Sequence, residues 1–134
     1  MRPEVAARWL AYAESDLAVA GGVDRAGVLT ETLCFHVQQA AEKAIKAVLV
    51  AGGADPPRTH DLEMLLAAVP EHVQIGFDRL SVAALTAYAV ASRYPGDDEP
   101  VEPDEYATAL AIALAVVAWA RRTVPALLSE LVMR

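Results

Sequence analysis

Apolar residues in this 134-residue chain recur at close to helical spacing, and glycine and proline divide them into five segments without the period-two alternation of a strand. The first segment, about Pro3 to Ala20, places Val5, Trp9, Tyr12, Asp16 and Val19 on one stripe and stops at Gly21 and Gly22. The second, about Val28 to Ala51, sets Cys34, Val37, Ala41, Ala44 and Val48 on a core-facing stripe. It ends at Gly52 and Gly53, where "ADPPR" bars continuation. Thr59 is the expected N-cap of a short third helix carrying Leu62, Leu65, Leu66 and Val69. A fourth helix is predicted from about Val73 to Ser92, with Phe77, Leu80, Ala84, Tyr88 and Ala91 on one face, stopping at "RYPGDDEPVEP". The fifth starts near Pro103, where Asp104 and Glu105 complement its dipole, and runs to about Val124; Pro125 kinks it or opens a short turn. The pattern predicts an all-α, up-and-down bundle of about five helices in a single domain, 1–134.

One stretch does not fit a plain core helix. "CFHVQQAAEKAIKAVLV", Cys34 to Val50, holds two glutamines, a glutamate and two lysines inside an apolar run. Gln39, Lys43 and Lys46 fall at i, i+4 and i+7, and Gln38 and Glu42 stand four apart. Either these residues form a solvated face, or they line a site on which other polar residues converge. Candidates for convergence are Asp16 on the first helix, "THDL" with His60 before the third, and Arg93 with Tyr94 after the fourth. An arginine followed by tyrosine and proline at a helix end can hold a phosphate or carboxylate through a bidentate guanidinium. It can equally cap the helix or pair with Asp97 or Asp98.

Composition narrows the chemistry. Hydrophobic residues make up 55% of the chain and aromatic residues 6%, so the core is built from small and medium aliphatic side chains. A formal charge of −7 argues against broad attraction to nucleic-acid phosphates and leaves room for a local basic site. The lone Cys34 forms no internal disulfide and reads as a small buried hydrophobe, consistent with a reducing, cytoplasmic setting. The acid-bearing N-terminal segment resembles neither a secretory signal nor an anchor. Tyr106 to Ala120 is uncharged but shorter than the roughly 20 residues of a membrane span, which points to a central helix or an oligomer interface. Scattered histidines and one cysteine supply no metal motif, "GGVDRAG" lacks the lysine of a phosphate loop, and no serine sits in a hydrolase elbow. No cofactor is expected.

Taken in order, "ESDLAVA", "CFHVQQAAEKAIKAVL", "RTHDLEMLL" and "ASRYPG" resemble the HEPN domain family from about Glu14 to the end of the fifth helix. The resemblance implies a helical bundle, usually homodimeric, in a family associated with nucleotide binding and RNA cleavage. Many prokaryotic members are paired with a nucleotidyltransferase-like protein in toxin-antitoxin systems. RNA-cleaving members carry an arginine followed, four to six residues later, by a histidine; here no histidine follows Arg93, and His36, His60 and His72 stand elsewhere. The resemblance therefore points to a noncatalytic nucleotide- or RNA-binding module. Its candidate ligand-binding residues are Lys43, Lys46, His60, Arg93 and Tyr94, with Asp16, Gln39 and Glu42 as supporting polar groups. The alternative is a metal-independent endoribonuclease that uses Arg93 with a displaced His60.

Overall fold

A computed structural model describes residues 2–22, 26–89 and 100–132. Its helices are α1 (Pro3–Ala20), α2 (Thr30–Ala51), α3 (Leu62–Ala67), α4 (Arg79–Ala84) and α5 (Pro103–Val132), with a 3-10 turn over Leu85–Ala89 extending α4. The fold is all-α, and no strand occurs among the described residues.

The second helix is the axis of the bundle, packed on one side by α1 and on another by α5. Ala40, Ala41, Ala44, Ala47 and Ala51 are all buried and let both neighbours approach closely. Ile45 and Leu49 fill the remaining space without exposure, each burial worth about 1.5–3 kcal/mol. The predicted stripe Cys34, Val37, Ala41, Ala44 and Val48 is wholly buried, but burial extends well around the helix. Leu62, Leu65, Leu66 and Val69 are also buried, as their spacing predicts.

Four local expectations change. The inward line of α1 is Ala6, Ala13, Leu17 and Ala20, whereas Tyr12 and Val19 are exposed. Small side chains are selected where α1 meets α2, and alanine gives too weak a hydrophobic signal to mark that line. Asp61, not Thr59, caps α3; its carboxylate accepts from the backbone N–H groups of Glu63 and Met64, while Thr59 Oγ1 accepts from Asp61 N–H.

Helix α4 begins at Arg79 with Asp78 as its cap, so residues 73–78 are not helical. Trp119 Nε1 donates to the Gln74 carbonyl at 2.9 Å, and Phe77 meets the Trp119 ring edge-on at 5.2 Å. These contacts hold the segment against α5 in an irregular path. Leu80 consequently faces outward at 80% exposure, while Val82 and Leu85 enter the core.

Helix α5 continues through Pro125 to Val132 despite the missing proline N–H. At 30 residues, with an 18-residue window of mean hydropathy 1.5, it is long and apolar enough to cross a membrane, although the uncharged stretch alone is too short. Its inner face is nevertheless packed in the core through Ala109, Ala113, Val116, Val117 and Ala120. On its outer side, Ala107, Ala111, Ile112 and Ala115 meet Phe77 and Ser81 along a groove of about 540 Å³.

Candidate functional site

The polar residues of α2 are not a solvated face. Gln38, Glu42 and Lys46 follow one another at four-residue intervals along the helix, and all three are buried. Moving an isolated carboxylate out of water costs several kcal/mol, so the Glu42 side chain, 4% exposed, requires dedicated partners. It has three. Lys46 Nζ lies 3.1 Å from Oε2, Gln38 Nε2 donates to Oε1 at 3.1 Å, and His60 Nδ1 lies 2.8 Å from the same Oε1.

The second amide proton of Gln38 reaches the His60 carbonyl at 3.2 Å, and its Oε1 accepts from Gln39 at 2.7 Å. Gln38 thus fixes the backbone of His60 while Glu42 fixes its ring. Among the described residues, no buried side-chain polar atom lacks a partner.

This network forms one wall of a cavity of about 780 Å³. Arg2, Val5 and Trp9 come from the start of α1 and the residue before it, Lys46 and Val50 from α2, and Asp55 to His60 from the loop between α2 and α3. Pro56 and Pro57 stiffen that loop and lead Arg58 and His60 to the rim. Val5, Val50 and Trp9 supply apolar and aromatic lining, and Lys46 Nζ stands 5.3 Å from the Trp9 centroid. Three cations, Arg2, Lys46 and Arg58, line the cavity against a single acid, Asp55. Arg2 pairs with Asp55 and Lys46 with Glu42, leaving Arg58 without an ion pair among the described residues.

Lys43 and Asp16 belong to a second cluster farther along the α1–α2 seam. Asp16 is shared by Lys43 Nζ at 2.5 Å and His36 Nδ1 at 2.9 Å, and Lys43 stands 5.9 Å from the Tyr12 ring centroid. Of the proposed ligand-binding residues, Lys46 and His60 line the cavity, whereas Lys43 does not. Arg93 and Tyr94 lie outside the described residues. Sequence reasoning missed Arg2, Trp9 and Arg58. The available signal was the rigid "PPR" immediately before "THDL", which carries a cation to the same place as His60.

Residues 6–123 match the family model described as the HEPN domain. The chain belongs to the HEPN family. Its fold is similar to the crystal structure of TT1696 from Thermus thermophilus, with a TM-score of 0.73 and 32% sequence identity. That similarity covers 88% of this HEPN chain and 97% of the Thermus chain. A comparison with curated proteins gives no match. Among the described residues of this HEPN protein, no group of three His, Cys, Asp or Glu side chains converges as a metal site would require.

Proposed function

We propose that this HEPN protein is a nucleotide- or RNA-binding module whose site is the cavity lined by Arg2, Trp9, Lys46, Arg58 and His60. One observation carries the reading: on a chain of formal charge −7, three cations and an aromatic ring surround one opening, and Arg58 there has no carboxylate partner among the described residues. Arg58 and Arg2 suit a phosphate, and Trp9 suits a base. Family membership supports a homodimer acting with a nucleotidyltransferase-like partner in a toxin-antitoxin-type system. The outer face of α5 is the proposed dimer contact. Arg93 and Tyr94 remain candidates for a further contact to the same ligand.

The deciding experiment titrates wild type, Arg58→Ala and Arg93→Ala with ATP, AMP and a short RNA by calorimetry, scoring RNA integrity in the same samples. Binding that weakens at least tenfold in Arg58→Ala, with RNA intact, is the expected outcome. Unchanged affinity in Arg58→Ala removes the cavity as the site. The second reading, an endoribonuclease using Arg93 and His60, draws support from the exposed His60 side chain, whose Nδ1 is occupied by Glu42. It requires cleaved RNA in wild type and intact RNA in both His60→Ala and Arg93→Ala.

A further inference from the structure

The tautomer of His60 is dictated by its surroundings. Nδ1 lies 2.8 Å from Glu42 Oε1, and a carboxylate oxygen can only accept, so the proton between them belongs to Nδ1. Gln38 donates to that same oxygen and also anchors the His60 carbonyl, so the ring is positioned from two sides. When the imidazole is neutral, Nε2 therefore carries a lone pair rather than a proton. The side chain is 68% exposed and lines the cavity.

Most of the remaining polar lining is of the opposite character, Asp55 being engaged by Arg2 and Thr59 Oγ1 by the Asp61 N–H. Arg2, Lys46 and Arg58 only donate, and they suit an anion. A neutral His60 adds an acceptor beside them, which has no use for a bare phosphate but matches a hydroxyl. We propose that the cavity selects a ribonucleotide over its deoxy counterpart, with His60 Nε2 accepting from a ribose hydroxyl while the arginines hold the phosphate. Glu42 is the positioning residue that keeps the acceptor side of His60 toward the ligand. The inference rests on reading the cavity as a nucleotide site, and it adds a chemical preference within that reading.

Calorimetric titration of the whole protein with AMP and with 2′,3′-dideoxy-AMP tests it, since the two share base and phosphate and differ only in the ribose hydroxyls. Wild type is expected to bind AMP about fivefold or more tightly than the dideoxy compound, the worth of one hydrogen bond. In His60→Phe the ratio of the two affinities should fall to near one, because the acceptor is gone whatever the substitution does to binding of both compounds together. Equal affinities in wild type overturn the inference while leaving the nucleotide site intact. Absence of binding by both compounds overturns the reading of the cavity and the inference with it.

A second measurement is independent of any ligand. Nitrogen-15 NMR of the neutral imidazole should show His60 as the Nδ1–H tautomer. Glu42→Gln, whose amide can present either a donor or an acceptor to Nδ1, should admit the other tautomer and reduce the AMP preference. An Nε2–H tautomer in wild type overturns the proposal.

Discussion

Lys46 Nζ on α2 stands 5.3 Å from the ring centroid of Trp9 on α1, with its charge balanced by Glu42 3.1 Å away on its own helix. The contact joins the two helices at the wall of the cavity. A cation can be buried there because it meets both a carboxylate and the negative face of an indole.

Removing one partner strands the other. Lys46→Met or Glu42→Leu alone should destabilise the protein by about 3 kcal/mol, since a buried charge loses its ion-pair partner within α2 in each. The double variant should recover part of that loss, since both charges are gone while Gln38 Nε2 and His60 Nδ1 still lack the Glu42 acceptor. Chemical denaturation of the four proteins checks this as a double-mutant cycle, and simple additivity of the two losses would contradict it.

Asp78 governs the start of α4. Its carboxyl is held below the usual carboxylate range chiefly by the Ser81 side-chain hydroxyl, helped by the Ser81 and Leu80 backbone N–H groups and opposed by desolvation. With the native pKa depressed, this contribution is present above the ordinary aspartate range and is lost as pH falls through the native value. Hydrogen exchange of the 79–82 amides should accelerate over that acidic interval, and the acceleration should vanish in Asp78→Asn. An NMR titration placing Asp78 in the ordinary range would contradict the account.

The outer face of α5 tests the proposed dimer. Ala111 is exposed and lines the groove with Phe77 and Ile112, so Ala111→Glu should not disturb the protomer's core. It should convert a dimer to a monomer, because two desolvated carboxylates would be brought together at the contact. Light scattering on both proteins reads this directly, and an unchanged dimer would place the interface elsewhere.

The helical class, the extent of α1 and the buried line of α3 were legible because each is written in local spacing. The start of α4 was not. Its apolar residues continue the helical period back to Val73, but Trp119, some 45 residues away, takes the Gln74 carbonyl and holds the segment out of the helix. No local pattern records that competition. At the site, Glu42 and Lys46 were visible as charges inside an apolar run, and His60 as the histidine of "THDL". Whether they were wet or buried depended on how closely α1 approaches α2, which the alanines permit and hydropathy scarcely registers. Arg2 and Trp9 reach the cavity only because α1 lies beside α2, so their place is a property of the packing.

The chain's two lysines, Lys43 and Lys46, both sit in ion pairs along the α1–α2 seam. Amine-directed acylation of the folded protein should therefore find its side-chain targets engaged, Lys46 most completely. Labelling at these two positions becomes a clock for the parting of α1 from α2, and a ligand that closes the cavity should slow it at Lys46 more than at Lys43.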